Sequence, residues 1–153
     1  MGAGKAQLPI IETAKKLNYF VIGIDKNQES IGFKIVDKKI IISTYEDKAV
    51  VNELVKLKNK YNFQYTGVVA RTSGPALYTA AAISNTFGLP GLTTEIVPLA
   101  TEKSTFRKFC RKNNIPVPDG EKLDLTNFIK TKCNYPVIVK PDIPIIGKEA
   151  VKL

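Results

Sequence analysis

Two kinds of residue in this chain have the type and placement to do chemistry: lysines beside turn-rich segments, and a single arginine in an otherwise neutral region. The first group centres on Tyr135-Pro-Val-Ile-Val-Lys140-Pro-Asp-Ile-Pro-Ile-Ile-Gly147. A β-branched run bounded by Pro136 and Pro141 predicts a strand. Its period of two puts Ile138 and Lys140 on one face and Val137 and Val139 on the other. Lys140 then stands at the mouth of the strand, before a loop punctuated by prolines and by Gly147. An ammonium beside a loop with free backbone N–H groups suits phosphate oxygens, because the point charge and the oriented dipoles act together. The same residues also describe a solvated lysine ending an edge strand.

The arginine is Arg71. Between Tyr61 and Glu102 it is the only basic residue, and the only acids there are Glu95 and Glu102 itself. It follows the apolar run Thr66-Gly-Val-Val-Ala70, read as a strand, and leads through Ser73, Gly74 and Pro75 into a helix predicted over Ala76 to Phe87. Ser73 is the expected N-cap, Pro75 fits the first turn and Gly88 the left-handed close. A helix start offers N–H groups to an anion, and Arg71 offers a planar fork for a carboxylate or phosphate. Pairing of Arg71 with a neighbouring acid is the alternative.

A third candidate lies at the N-terminus. Gly2-Ala-Gly4-Lys-Ala-Gln7 reads as a glycine turn feeding a helix with Pro9 in its first turn. The strand Phe20-Val-Ile-Gly-Ile24 then ends on Asp25, about 20 residues beyond the glycines, where a dinucleotide site puts its ribose-binding carboxylate. Gln7 stands where that fingerprint has its third glycine, so a simple tight turn is an equal reading. Such a turn follows a strand, and one of about 5 to 8 residues is expected ahead of Met1.

The elements that position these groups alternate. After Phe20–Ile24 come a strand over Lys39–Ser43 and a helix that starts at Asp47 or a neighbour, with Val50, Leu54, Leu57 and Tyr61 on its buried face. Thr66–Ala70 and the Ala76–Phe87 helix follow. Strands alternating with helices predict an α/β fold with a Rossmann-like parallel sheet, whose ligands bind at the carboxyl ends of the strands. The Ala76–Phe87 helix carries no charge and is expected to be covered on two sides, by further protein or by a second subunit. A boundary is placed near residue 98. Beyond it, Lys103 opens a helix with Phe106, Phe109 and Cys110 as its expected buried face, and a shorter helix is expected over Asp124–Lys132.

Composition narrows the classes. The 153 residues suffice for one core, or for one core and an appendage. With 44% hydrophobic and 24% charged residues, the chain has the make-up of a globular domain, and no apolar run nears the ~18 residues of a membrane span. No secretory signal pattern is visible, and a cytoplasmic protein is expected. The net charge of +9 invites a nucleic-acid reading. Yet Lys15, Lys16, Lys56, Lys58, Lys60, Lys130 and Lys132 are spread over several helices without interleaved aromatics, the pattern of solvated faces. Cys110 and Cys133 lack metal spacing and read as reduced thiols. With no histidine present, imidazole ligands and histidine-based triads are excluded.

Taken together, Thr101-Glu-Lys103-Ser-Thr-Phe106, the Ile115-Pro-Val-Pro118 segment and Tyr135-Pro-Val-Ile-Val-Lys140-Pro141 resemble the start of the nucleotide-binding lobe of the ATP-grasp superfamily. Among its members, the chain resembles the carbamoyl-phosphate-synthase-like and purine-biosynthesis-like ones. The resemblance implies a pre-ATP-grasp Rossmann-like domain over residues 1–98 and an incomplete ATP-binding lobe over 99–153. It implies ATP as the nucleotide, approached by Lys103 and Lys140 with Gly147 in the covering loop, and magnesium held by carboxylates on segments beyond Leu153. The glycine-rich lid common in the family is reduced in this chain to Gly147, with Ala150 where a second glycine is expected.

The implied activity is that of an ATP-dependent carboxylate ligase, of which this chain is an inactive fragment. Gly4, Gln7 and Asp25 would shape the cleft for a small-molecule carboxylate, while Arg71, Ser73 and Gly74 hold its anionic end. A homo-oligomer is compatible with this; nucleic acid and membrane partners are not expected. The two other classes left open are a dinucleotide-binding Rossmann domain and a self-associating domain without catalysis.

Overall fold

The structure, a computed structural model, describes residues 1–62, 64–120, 122, 136–143 and the strand backbone at 151–152. Gly147, Ala150, Cys133 and the expected Asp124–Lys132 helix lie outside the described residues. The chain divides into two compact units, Met1–Val97 and Pro98–Leu153.

In the first unit, a 3-10 turn over Lys5–Gln7 runs into α1 (Leu8–Lys16), which takes Pro9 in its first turn and Lys15 and Lys16 in its last. Lys15 Nζ grips both oxygens of Asp37, at 2.6 and 2.7 Å, and Asp37 also accepts the N–H of Val21. Strand β1 (Ile22–Ile24) pairs in parallel with β2 (Lys38–Ile40), Ile22 opposite Lys38 and Ile24 opposite Ile40. The connection between them is a 3-10 turn, Ile31–Lys34, and not a full helix. Gly32 there donates to the Ala3 carbonyl at 2.7 Å, and a Cβ on Gly32 would lie 2.6 Å from that oxygen. Only glycine permits so close an approach.

Helix α2 (Asp47–Tyr61) starts on an acid, ends on Lys58 and Lys60, and closes at Asn62 in the left-handed region. Val50, Leu54 and Leu57 are buried with Ile24, Ile40 and Ile83 as the core of this unit. Tyr61, expected on the same stripe, is half exposed. It is the last residue of the helix, one turn beyond Leu57, where the buried stripe has run out. Helix α3 (Ala76–Phe87) packs on α2 and ends at Gly88, φ 64°. On this uncharged helix Ala76, Thr79, Ala81, Ile83 and Ser84 are buried, while Leu77, Tyr78, Ala80 and Ala82 are partly buried and Asn85 and Thr86 exposed.

The largest departure is at Thr66–Ala70. The segment forms no strand ladder, and Thr66, Gly67 and Val69 are exposed. It is held from one end by Tyr65, whose hydroxyl donates to the Leu54 carbonyl at 2.8 Å and whose ring meets Phe87 edge-on at 4.8 Å. Beside it, β1 has no strand on the edge away from β2 among the described residues.

In the second unit, α5 (Lys103–Lys112) follows the short α4 (Val97–Thr101). Strand β3 (Ile138–Val139) pairs antiparallel with β4 (Val151–Lys152). Along β3 the expected alternation holds: Ile138 and Lys140 are exposed, Val137 and Val139 half-buried. On α5, Cys110 is buried as expected, but Phe106 and Phe109 are exposed. The face that turns inward carries Cys110 with the half-buried Ser104, Thr105 and Arg107, and that orientation is set by polar anchoring at the helix start.

Candidate functional site

The anchor is Asp142. One carboxylate oxygen accepts the backbone N–H of Ser104 at 2.7 Å and the other accepts the Ser104 hydroxyl at 2.7 Å. Lys122 Nζ lies 2.9 Å from the second oxygen. Helix α5 has no side-chain cap from its own flank at Glu102, so Asp142 acts as the cap from 38 residues away, placing a negative charge where the helix dipole favours one. Lys103 completes the join. Its ammonium donates to the Pro141 carbonyl at 2.6 Å and to the Asp142 carbonyl at 3.2 Å, and its backbone N–H reaches the latter as well.

Lys103 is therefore bound to the residue that directly follows Lys140. Two of its three N–H donors are committed to carbonyls, which leaves one for another acceptor. Lys140 is exposed. Neither Asp142 nor Ser104 stood out in the sequence; the available signal was a Pro-Asp pair directly after the strand lysine and a hydroxyl in the first turn of the lysine helix.

The Asp142 carboxyl feels opposing influences. Burial pushes it up, but the bonds from Ser104 and the charge of Lys122 outweigh that and hold it at about 2. A carboxyl depressed in the folded state stabilises above its unfolded value near 4, and that contribution is lost as pH falls through about 2. The expected consequence is that Asp142→Asn destabilises the second unit by about 2 kcal/mol at pH 7 and by much less near pH 2. Urea unfolding of both proteins across that pH range, followed by a probe in the second unit, measures it.

The candidates of the first unit gather at the carboxyl end of β1. Gly2 adopts φ +77° and donates to the Ile24 carbonyl at 2.8 Å. Ala3 N–H donates to one oxygen of Asp25 at 2.8 Å, and Asn27 N–H to the other at 3.0 Å. Asp25 thus closes the glycine turn onto its own strand, and both oxygens already accept backbone donors. The Gln7 side chain packs over Gly2 and Gly4 and donates to the Arg71 carbonyl at 3.0 Å, while Arg71 Nη1 donates to the Ala6 carbonyl. A dinucleotide site needs the turn donors and the acid open to ligand; in this chain they are joined to each other.

Gly4, Gln7, Asp25 and Arg71 are accordingly brought together. Ser73 and Gly74 follow Arg71 in a turn, with Gly74 at φ +78°. Ser73 is not the N-cap: Pro75 is, without any side-chain cap bond. The Leu77 and Tyr78 N–H groups turn back onto the carbonyls of Gly74 and Pro75, both at 3.0 Å, a 3-10-like start that uses donors an anion would otherwise take. Among the described residues no group of three acids or cysteines is placed to hold a metal ion, and no helix is long and apolar enough to cross a membrane.

No family model matches the chain, and no curated protein matches it in sequence. Solved structures do match in fold. An L-amino acid ligase from Bacillus licheniformis superposes with a TM-score of 0.76 at 22% identity over 99% of this chain. N5-carboxyaminoimidazole ribonucleotide synthetase from Thermotoga maritima gives 0.68 at 20% identity, also over 99%. The chain spans 37% and 39% of the lengths of those two proteins. The likeness is one of fold: over nearly its whole length the chain has the α/β architecture of part of each of these two proteins.

Proposed function

We propose that the chain is part of an ATP-dependent carboxylate ligase, in which it supplies the substrate-side Rossmann-like unit and the opening of the ATP-binding lobe. The observation that carries this reading is the bond from Lys103 to the Pro141 carbonyl, which ties the helix lysine to the strand lysine's own loop. Ligases of this kind use ATP to convert a carboxylate into an acylphosphate that an amine or similar nucleophile then attacks.

In that setting Lys140 is a mobile ammonium for the phosphates. Lys103, with one donor uncommitted, is a fixed one. Cations so placed stabilise charge on a transferring phosphoryl group. Gly147 belongs to the covering loop in the same proposal. Arg71, steadied through Ala6 and Gln7, holds the anionic end of a small carboxylate with help from Ser73 and Gly74, while Gly4, Gln7 and Asp25 set the shape of that side. Magnesium belongs to the same proposal, held by carboxylates on segments beyond Leu153. By itself the chain is inactive, and the protein is placed in the cytoplasm.

The test is ATP consumption by the full-length protein with a pool of carboxylates. Lys140→Ala weakens ATP binding roughly tenfold, the effect of losing about 1.4 kcal/mol of charge-assisted contact. A full-length protein that consumes no ATP with any carboxylate, or whose ATP affinity ignores this substitution, overturns the reading.

A further inference from the structure

Helix α5 ends in a turn that brings the chain back to the helix side. Asn114 takes φ 56°, and the Ile115 N–H returns to the Cys110 carbonyl at 2.9 Å. Further on, Gly120 meets two arginines that stand one turn apart on α5. Arg111 Nη2 donates to the Gly120 carbonyl at 3.3 Å. The guanidinium of Arg107, which is half-buried, fills the place where a side chain on Gly120 would stand: a Cβ there, at φ +157°, would lie 2.5 Å from Arg107 Nη1 and 3.1 Å from its Cζ. Any other residue at this position pushes Arg107 away.

Two positions beyond this clasp stands Lys122, whose ammonium is 2.9 Å from Asp142. The Lys122 side chain is 68% exposed, and a long exposed side chain held in one geometry gives back most of what its ion pair contributes. Fixing the backbone beside it removes part of that loss. Contacts then run in a closed ring: from α5 through Arg107 and Arg111 to Gly120, along the chain to Lys122, across to Asp142, and back to Ser104 and Lys103 at the helix start. We infer that Arg107 and Arg111 are positioning residues for Lys103: by holding Gly120 they keep Lys122 on Asp142, and Asp142 fixes the helix start from which Lys103 projects. Only the consequence for ATP rests on the role proposed above for Lys103; the mechanical linkage does not.

Charge placement agrees with that role. Lys103, Arg107 and Arg111 recur every four residues along α5, and like charges at this spacing oppose a helix. No ion pair offsets either arginine among the described residues. Their contacts are with backbone instead, for which a planar guanidinium is suited: it can lie against a position that has no side chain and still donate to a carbonyl. At the far side of the ring, burial pushes the Asp142 carboxyl up, and Lys122 is among the groups that hold it down. Losing Lys122 therefore weakens the acceptor on which Ser104 depends.

The experiment follows hydrogen exchange of the Ser104 amide, which donates to Asp142, with no nucleotide present. Arg111→Met should speed exchange at Ser104 by about three- to tenfold, while Ile115, at the other end of α5, changes by less than about twofold. Lys122→Met should do the same, and the double variant no more than either alone, because both act through one contact. Gly120→Ala, whose methyl group displaces Arg107, should act in the same direction. Arg111→Lys keeps a donor for the Gly120 carbonyl and should restore most of the protection. In the full-length protein, Arg111→Met should raise the KM for ATP about fivefold and leave kcat within about twofold. Unchanged exchange at Ser104 in the arginine variants, an effect that simply adds to that of Lys122→Met, or equal acceleration at Ser104 and Ile115 overturns the inference. Exchange that responds as expected beside an unmoved KM upholds the linkage and counts instead against the phosphate role proposed for Lys103.

Discussion

With Lys103 replaced by methionine, the full-length protein is expected to consume ATP about 100-fold more slowly or worse, the size of effect seen when one fixed donor to developing charge is removed. Methionine keeps the length and apolar stem of the side chain while removing the charge and all three donors. The loss has two origins that can be separated. One is electrostatic: under the proposed function the uncommitted donor on Nζ would no longer meet the phosphoryl group. The other is positional: without bonds to the Pro141 and Asp142 carbonyls at 2.6 and 3.2 Å, the loop after Lys140 loses part of its tether to α5.

Asp142→Asn weakens the tether and leaves Lys103 charged, so it should lower the rate less, roughly tenfold, mainly through weaker ATP binding. Steady-state kinetics on the two variants distinguishes them. If the methionine form has wild-type kcat, Lys103 is a clamp only and has no role toward the phosphates.

Gly32→Ala is expected to destabilise the first unit by about 3 kcal/mol, lowering its melting temperature by more than about 10 °C. The new methyl group would stand 2.6 Å from the Ala3 carbonyl oxygen and 2.7 Å from Ile11 Cδ1. Neither neighbour can yield cheaply. The oxygen is backbone already bonded to Gly32 N–H, and Ile11 is buried. Moving Ala3 also strains its bond to Asp25, and through it the turn beside Gln7 and Arg71. Gly67→Ala is the control: with open space around that position, it should change stability by no more than about 0.5 kcal/mol in either direction. Circular dichroism melts of both variants decide the matter, and equal melting for Gly32→Ala and wild type would mean that the turn can shift without cost.

How much of the fold is legible in the sequence depends on range. Helix α3 could be read with its limits, and α2 by its start near Asp47 and its buried spacing, because local signals define them: the Val50, Leu54 and Leu57 repeat in one, Gly88 at a left-handed close in the other. The alternation around Lys140 is equally local. The failures are of two kinds. Thr66–Ala70 has the composition of a buried strand, but pairing needs a neighbour, and composition does not reveal whether one is present. Phe106 and Phe109 look like a core face by periodicity, yet the rotation of α5 is set by Ser104 meeting Asp142, a contact between residues 38 apart. The gathering of Gly4, Gln7, Asp25 and Arg71 was likewise beyond any local rule, since the joining bonds span 22 and 64 residues.

The bond between Met1 and Val69 links residues 68 apart, which bears on the order of folding. Pairing of Gly2 with Ile24 closes a loop about a third as long and can form as soon as β1 is made, whereas the bond to Val69 waits for α2 to be completed and for Tyr65 to dock on Leu54. In a refolding chain the glycine turn is therefore expected to gain protection before residues 64–69 settle, because the longer loop is the slower one to close.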